Sequence, residues 1–473
     1  MSTTTQYIFN GVIQMKKIIV MAAVALIATG CGLYKKYERP AEAAPENLFG
    51  VENVTSDTAS IADLGWRELF TDPYLHTLIE RGLEANTDLR TAELRASQAR
   101  TALGIARMSY LPSFNFAPDG SIGKFDDYDK VAFDIDGTYS IPVAASWELD
   151  IFGKKTNAKR GARASYEMAK DYGQAVRTGL ISGIAMQYYT LLMLDEQLLV
   201  ASQSLEKFRE SVRVLRAMKE AGMADDVAVS QMEGAKYEVE AAVEDIKKAI
   251  VELENSLSTT LAMTPQRIER GVLSAASFPL ELKTGIPLQL LSRRPDVRAA
   301  EHKLAQAHYN WNVSRGKMYP SISLSGVAGW TNNLGGNIMD PAGLLLNAAA
   351  SLAQPVFNAR GVRGEAKINK AEREVAALEF KQAVLDAGAE VNNALVLYQT
   401  ALAKEELRTR QVEALASAVE KTEKLMQYGH TPYLEVLVAQ QALLQARNLQ
   451  VQDTYEKIKG VVTLYRALGG GQN

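Results

Sequence analysis

Few side chains in this sequence have the types and spacing needed for bond-making chemistry. The four histidines are His76, His302, His308 and His430, and none belongs to an HExxH pair. His302 and His308 are six residues apart, which places them on different faces of a helix, so they are not predicted to share a metal ion. No glycine-rich phosphate loop precedes a lysine. We therefore expect no enzyme, no bound metal and no cofactor.

The overall composition excludes further classes of protein. The chain has 473 residues, with 52 lysines and arginines against 55 aspartates and glutamates. This balance, without a basic patch, argues against a nucleic-acid partner. A single cysteine, Cys31, excludes a disulfide framework and a cysteine-rich metal site.

Cys31 follows a segment that is typical of a secretory signal. From Met15 the chain reads two lysines, an apolar run over 18–28, and then Thr-Gly before Cys31. The apolar run is too short to span a membrane as a helix, so residues 1–30 are predicted to be a signal peptide that starts at Met15. The Gly-Cys pair resembles the lipobox of bacterial lipoproteins, which makes Cys31 the acylated first residue of an extended segment over 31–65. The alternative is an uncleaved anchor that ends in a buried cysteine.

A long segment of the sequence occurs twice. The stretch from Asp88 to Ser113 reappears at a constant offset of 208 residues. The matching pairs include Asp88/Asp296, Arg90/Arg298, Glu93/Glu301, Arg107/Arg315, Pro112/Pro320 and Ser113/Ser321. So large an offset indicates a duplicated half-molecule rather than a short solenoid repeat. We predict a first repeat over 66–264, a connector over 265–289 and a second repeat over 290–470.

Other long segments lack the residues that end helices. No glycine or proline lies between Ile184 and Ala221 or between Ala389 and Tyr428. A helix from near Gly153 to Ala221 would be about 100 Å long, at about 1.5 Å per residue. Apolar residues at alternating steps of three and four predict coiled-coil seams, in which polar residues fix the register or face water. These seams include Leu205, Phe208, Val212 and Leu215, then Val239 and Val243, and then Leu437, Gln441, Leu444 and Asn448. An ordinary helical bundle core is the alternative.

Each repeat also contains a segment with strand periodicity. Apolar residues alternate with small or polar ones from Tyr139 to Leu149, and again from Ile322 to Trp330 and from Leu346 to Leu352. Runs of about ten residues with one apolar face have the length of tilted membrane strands. We predict hairpins near 113–150 and 320–357, about four strands in all. Four strands cannot close a barrel in lipid, so copies of the chain must share strands; a soluble sandwich is the alternative.

Several motifs in these segments resemble one family along the whole mature chain, from about Cys31 to Gly470. Trp66, Phe70, Asp72-Pro73, Leu75, Asn86 and Asp88-Leu89 resemble the opening motif of the NodT branch of TolC-like outer-membrane efflux proteins. The strings WELDIFGK at 147–154, LLSRRPDVRAAE at 290–301 and YPSISLSG at 319–326 are similar to internal signatures of the same branch.

This resemblance implies a mainly helical protein with a membrane β-barrel. It implies a homotrimer in the bacterial outer membrane, anchored in lipid through Cys31, whose twelve shared strands form one barrel continuous with a periplasmic tunnel of twelve helices. The implied partners are a periplasmic adaptor protein and an inner-membrane resistance-nodulation-division transporter, with small molecules or drugs leaving through the duct. An exit duct for type I protein secretion or for metal efflux is one alternative. A periplasmic coiled-coil lipoprotein without a pore is another.

In the resembling family, the tunnel closes at the tips of the helical hairpins. The first tip reads AGMADDV at 221–227 and the second reads YGHTPYLEV at 428–436. Gly222 and Gly429 suit the left-handed residue that ends a helix, and Asp226 and Pro432 suit the first turn of the next helix. The family carries acidic residues inside the second tip that attract cations, and Glu435 occupies one such position.

The remaining gate residues are assigned by proximity, because the sequence departs from the family pattern at Val438, Met426 and Ala228. These candidates are Asp225, Asp226, Tyr428 and His430. The alternative for each candidate is a solvated helix end. A second charged cluster is the family signature, Arg293, Arg294, Pro295, Asp296, Arg298 and Glu301. We expect it to have a structural role rather than to bind substrate, because Asp296 repeats Asp88 at a helix start.

Overall fold

The computed structural model describes most of the mature chain. The described residues are 34, 36–40, 64–124, 135–276, 278, 294–331, 343–355, 359–428 and 432–471. The predicted signal peptide, Cys31, Arg293, Gly429 and His430 lie outside these residues.

Long helices dominate the described chain, as the sequence predicted. The helices are α1 (Trp66–Leu69), α2 (Pro73–Ala85), α3 (Thr87–Met108), α4 (Lys154–Glu220), α5 (Asp226–Thr260), α6 (Pro295–Gly316), α7 (Ala359–Gln427) and α8 (Tyr433–Ala467), with a 3-10 turn at Leu273–Ala275. The longest are α4, with 67 residues, and α7, with 69. At about 1.5 Å per residue each extends for about 100 Å. No helix among the described residues is long and apolar enough to cross a membrane.

The strands form one antiparallel sheet. They are β1 (Ser113–Phe116), β2 (Asp119–Lys124), β3 (Ile135–Leu149), β4 (Ser321–Thr331) and β5 (Leu344–Ala353). Both β1 and β2 pair with β3, which pairs with β4, which pairs with β5.

The break between β1 and β2 has a local cause. Phe116 lies opposite Val143 and Asp119 lies opposite Ser140, so the two strands keep one register across the gap. The gap contains Pro118 and faces Pro142, and neither proline has an N–H to donate to the ladder. β1 and β2 therefore act as one interrupted strand. Within the described residues, the sheet has the predicted two hairpins and about four strands.

The register places most of the large apolar residues of β1, β3, β4 and β5 on one face. The cross-strand pairs on this face include Phe116 with Val143, Trp147 with Leu324, Trp330 with Leu344, and Ile322 with Leu352. Most of these side chains are exposed: Trp330 is 53% accessible and Leu344 is 60% accessible. The opposite face carries Ser146, Ser323, Ser325 and Ser351. The two outer strands, β1/β2 and β5, have a partner on one side only among the described residues.

The residues of the chain group into two compact units, each with more contacts within itself than to the other. The first contains residues 1–41, 96–169 and 300–380, and it includes the sheet. The second contains residues 42–95, 170–299 and 381–473, and it includes α5 and α8. An aromatic cluster anchors the second unit, where Phe70 packs on Tyr465 with ring centroids 5.9 Å apart.

The predicted seams supply another core of the second unit. Leu205, Phe208, Val212 and Leu215 of α4 are buried against Val239, Val243 and Leu437 in one hydrophobic cluster. Gln441, predicted within a seam, is exposed instead and lines a groove of about 540 Å³. Asn448 lines the same groove. The polar seam residues were predicted either to fix the register or to face water, and the exposed Gln441 fits the second role.

Candidate functional site

The first hairpin tip closes with a Schellman motif. α4 ends at Glu220, and Gly222 has a left-handed φ of 76°. Its N–H donates to the carbonyl of Lys219 at 2.9 Å, and the Met223 N–H donates to the carbonyl of Met218 at 2.8 Å. A Cβ at position 222 would meet no atom within 4 Å, so the backbone angle, rather than a lack of space, favours glycine there.

The two aspartates of this tip are engaged in holding the turn. The Asp225 carboxylate accepts a hydrogen bond from the Ala228 N–H at 2.8 Å, which caps the start of α5. Asp226 is the first residue of α5 and forms an ion pair with Lys219. Both aspartates are exposed, and the charge of Asp226 is partly balanced. This arrangement favours the structural alternative for these two residues over cation attraction.

The second tip also places a carboxylate, Glu435, at the surface. α7 ends at Gln427, and Tyr428 beyond it is 76% accessible. Pro432 has an extended backbone and stands at the N-cap, one residue before α8 begins, rather than inside its first turn. The Glu435 N–H donates to the Pro432 carbonyl at 3.2 Å, which leaves the Glu435 side chain exposed in the first turn of α8.

Two polar contacts tie the hairpins together, and sequence reasoning missed both. The Tyr433 hydroxyl donates to the side-chain amide oxygen of Gln231 at 2.6 Å, which links the start of α8 to α5. Deeper in the seam, Gln440 is 5% accessible, and its amide nitrogen donates to Ser211 of α4 and to Glu423 of α7, both at 2.9 Å. The Gln440 side chain therefore links α4, α7 and α8 and fixes their register. Its neighbour Gln441 is exposed instead.

Arg294 and Asp296 of the family signature belong to a charge cluster centred on Arg294, which is buried. Its guanidinium donates to Asp296 at 3.0 and 2.6 Å, to Glu390 at 2.7 Å and to the Ala467 carbonyl at 2.6 Å. Burial lowers the pKa of Arg294, but both carboxylates outweigh it, so the pKa is raised above its ordinary value. Pro295 begins α6, and its missing N–H would have no helical partner at that position.

The other charged signature residues also have partners. Arg298 forms an ion pair with Asp171 at 2.5 Å, and the Asp171 side chain is only 3% accessible. Glu301 forms an ion pair with Arg39 at 3.0 Å. Each described charged residue of the signature thus holds segments of chain together, which favours the structural role. No group of His, Cys, Asp or Glu within the described residues could hold a metal ion.

Comparison with characterised proteins gives full-length matches. The chain is 28% identical over 454 residues to the "Cation efflux system protein CusC" of Escherichia coli (strain K12), covering 95% of this chain and 98% of the relative. It is 25% identical over 459 residues to the "Probable outer membrane lipoprotein SilC" of Salmonella typhimurium, covering 96% and 98%. The open-state crystal structure of the Neisseria gonorrhoeae MtrE outer membrane channel superposes with a TM-score of 0.81 at 25% identity, covering 93% of this chain and 98% of MtrE.

The family model described as "Outer membrane efflux protein" matches residues 78–263 and 286–470. The two matches fall on the two copies of the repeated sequence. The mainly helical TolC-like fold is shared with solved efflux channels of the outer membrane. This chain belongs to the outer membrane efflux protein family.

Proposed function

We propose that the protein is the passive outer-membrane exit duct of a tripartite efflux pump, through which small molecules or drugs leave the cell. The observation that carries this proposal is an open antiparallel sheet, apolar on one exposed face, built into a chain with helices of 67 and 69 residues. A sheet in lipid must have its edge N–H and C=O groups paired, because each unpaired group costs several kcal/mol.

The functional unit is a homotrimer. One chain supplies about four strands with two edges, β1/β2 and β5, and head-to-tail pairing of these edges closes a ring. Three copies give the twelve strands that the family resemblance implies. Detergent-purified protein should have the mass of three copies. A monodisperse monomer that inserts into membranes would contradict the shared barrel.

The partners are those of an efflux system. CusC, the relative named above, is called a cation efflux system protein. Its likeness supports a periplasmic adaptor and an inner-membrane resistance-nodulation-division transporter as partners here. The transporter supplies the energy, and this protein supplies a hydrated path. Acylation of Cys31 adds a lipid anchor in the outer membrane, which the likeness to the lipoprotein SilC supports. Cys31→Ser should abolish labelling with palmitate while partly preserving insertion, because the strands make most of the membrane contact.

Conductance in planar bilayers tests the duct. Purified protein should open ion-conducting pores, because a tunnel wide enough for exported solutes also passes salt. Protein that is trimeric and correctly inserted but never conducts would support the alternative of a lipoprotein scaffold without a pore.

Glu435 is the proposed gate residue. Three copies of this exposed carboxylate, one from each second tip, would surround the axis and concentrate cations at a narrow mouth. Glu435→Gln should lower cation-over-anion selectivity and weaken block by divalent cations added on the periplasmic side. Asp225→Asn/Asp226→Asn should change selectivity less, because these side chains hold the first turn. Unchanged selectivity in Glu435→Gln, together with a change in the double variant, would move the constriction to the first tip. Tyr428 and His430 remain candidate gate residues.

Metal efflux is a second candidate function, which the likeness to CusC favours. A deletion strain complemented with this gene separates the possibilities. Restored resistance to metal cations alone indicates metal efflux, and restored resistance to hydrophobic drugs indicates a drug pump. Restored export of a secreted protein without either resistance indicates type I secretion.

A further inference from the structure

The residues that follow the predicted acylated cysteine contact the folded protein through side chains. We use the name strap for Tyr34 together with residues 36–40. The Tyr34 ring lies against Arg315, with 5.2 Å from the guanidinium carbon to the ring centroid. The Tyr37 ring meets His308 edge to face, with centroids 6.0 Å apart.

Arg39 completes the series of contacts. It forms an ion pair with Glu301 at 3.0 Å and lies over the Phe380 ring of α7, 5.6 Å from the centroid. The α6 partners of successive strap residues are Arg315, His308 and Glu301, so the strap runs antiparallel to α6. These partners span about 20 Å of helix.

Tyr34 also packs beside two glycines, Gly316 at the end of α6 and Gly153 just before α4. A Cβ on Gly316, the last residue of α6, would lie 3.6 Å from the Tyr34 hydroxyl and 3.4 Å from Lys154 at the start of α4. Gly153, beside it, has a left-handed φ of 67°, and its Cβ position lies 3.6 Å from the Tyr34 ring. Tyr34 is thus wedged where α6 ends and α4 begins.

Tyr34 and Tyr37 are both partly buried. The hydroxyl oxygens of Tyr34 and Tyr37 are both buried, without a hydrogen-bond partner among the described residues. Burial raises the pKa of each phenol to about 12. Ordering a flexible segment costs roughly 1–2 kcal/mol per residue, and a simple lipid tether would make no contacts to offset that cost. The strap is therefore more than a spacer.

The location of Tyr34 also bears on the order of maturation. The strands nearest to it, β3 and β4, end at Leu149 and begin at Ser321, within a few residues of Gly153 and Gly316. Tyr34 is the third residue after Cys31 in the sequence, a reach of about 10 Å. While an uncleaved signal holds Cys31 at the inner membrane, a docked strap would hold these strand ends at that membrane as well.

We propose that the strap is an assembly clasp: after signal cleavage, Tyr34, Tyr37 and Arg39 dock along α6 and fix the junction between helices and strands before the trimer forms. This role is separate from lipid anchoring. The trimer readout used below rests on the proposed function, whereas the protease readout does not.

Charge reversal tests the clasp in full-length, processed protein. Arg39→Glu and Glu301→Arg should each lower the heat-resistant trimer fraction by about threefold, the range for a half-exposed ion pair turned into a repulsion. The double variant should restore that fraction. Palmitate labelling should be equal in all of them. Lys36→Glu and Glu38→Arg are matched controls, because these neighbouring side chains are exposed, and both should behave as wild type.

Limited trypsin digestion gives an independent measurement on the single chain. Cleavage after Lys36 should be slow in the wild type, fast in Glu301→Arg and slow again in the double variant. The clasp is overturned if the double variant fails to recover, if the controls lose trimer equally, or if Glu301→Arg is cleaved no faster than wild type. A wild type that is protected from trypsin but never trimeric would contradict the proposed assembly and leave the clasp supported.

Discussion

The helices α3 and α6 are the equivalent helices of the two repeats, and they lie in different surroundings. Each has 22 residues, and their bounds differ by the offset of the repeat. In α3, Arg90 pairs with Glu93 of the same helix at 2.8 Å, and both side chains are more than half exposed. In α6, the equivalent Arg298 pairs with buried Asp171, and Glu301 pairs with Arg39. Duplication therefore preserved the residues, while the contacts of the second copy came to hold separate segments of chain.

The helix starts differ in the same way. Asn86 caps α3 by accepting hydrogen bonds from the N–H groups of Asp88 and Leu89, both at 3.0 Å. The equivalent residue before α6 is Arg294, which has no acceptor atom. Pro295 then removes one N–H that would need a partner, and the Asp296 carboxylate accepts from the Val297 N–H at 2.9 Å. Arg294 is therefore not needed as a helix cap, and its side chain is available for the charge cluster with Asp296 and Glu390.

The strands that follow these helices differ most. β1 is an outer strand, where Pro118 is tolerated, whereas β4 is paired on both sides and contains glycines instead. Gly329 of β4 lies opposite Pro142, and a Cβ there would lie 2.3 Å from the Ile141 carbonyl oxygen and 2.7 Å from the Pro142 Cα. The central strand therefore depends on a close backbone approach that the outer strand does not need.

The largest predicted effect comes from a substitution that disrupts the close contact between Gly329 and Pro142. Gly329→Ala should lower the free energy of unfolding by about 3 kcal/mol, because the clash is with backbone atoms that cannot rotate away. Urea unfolding in detergent micelles measures it. Gly326→Ala in the same strand is the control, since its nearest neighbour would be the Asn347 carbonyl at an ordinary 3.5 Å, and it should change stability little. Equal losses in the two variants would mean that the cost arises from strand propensity rather than from the approach to Pro142.

The second prediction concerns the equivalent arginines. Arg298→Ala should cost about 2 kcal/mol of unfolding free energy, because it removes the cation that faces the buried Asp171 carboxylate. Arg90→Ala should cost less than about 0.5 kcal/mol, because its pair with Glu93 is exposed. Urea unfolding of both variants in one detergent gives the comparison. Similar costs would show that the difference in partners has no energetic consequence.

The third prediction concerns the helix cap of the first copy. Asn86→Ala should cost about 1 kcal/mol, since two N–H groups of α3 lose their acceptor. It also removes the hydrogen bond that the Asn86 amide donates to the Thr260 carbonyl at 2.9 Å. Ser97→Ala, at an exposed position in the middle of α3, is the control and should be neutral or slightly stabilising. A loss in Ser97→Ala as large as in Asn86→Ala would remove capping as the explanation.

Local patterns explain what could be predicted from the sequence. The absence of glycine and proline gave the long helices, alternation gave the strands and their apolar face, and Gly222 marked the first turn. Partners distant in sequence left no such signal. Gln440 and Ser211 are 229 residues apart, and the seam pattern pointed to Gln441 instead. Arg90 and Arg298 occupy equivalent positions of the repeat, each with a glutamate three residues later, so this local pattern could not reveal that one pairs within its helix and the other with Asp171.

The smallest predicted effect concerns acid and the charge cluster of the second copy. Burial raises the pKa of the Asp296 and Glu390 carboxyls, but Arg294, joined at Glu390 by Arg466, outweighs it, and both pKa values lie below their ordinary values of 3.8 and 4.5. A carboxyl whose pKa is lower in the folded state adds stability above its unfolded-state pKa, and that stability is lost as the pH falls through the folded-state pKa. The wild type should therefore lose stability below about pH 4.5.

Arg294→Gln should lose less stability over the same acid range, although it is less stable at neutral pH, because Asp296 loses the arginine that favours its charged form and Glu390 keeps only Arg466. Thermal unfolding midpoints in detergent, compared between about pH 7 and about pH 3, measure the difference. Arg90→Gln in the first copy is the matched control and should keep the wild-type pH dependence, because its exposed pair with Glu93 is weakly coupled to folding. If Arg294→Gln keeps the full wild-type acid sensitivity, the carboxyls that respond to acid lie elsewhere. The charge cluster around Arg294 would then give α6 different contacts from α3 without giving the protein its sensitivity to acid.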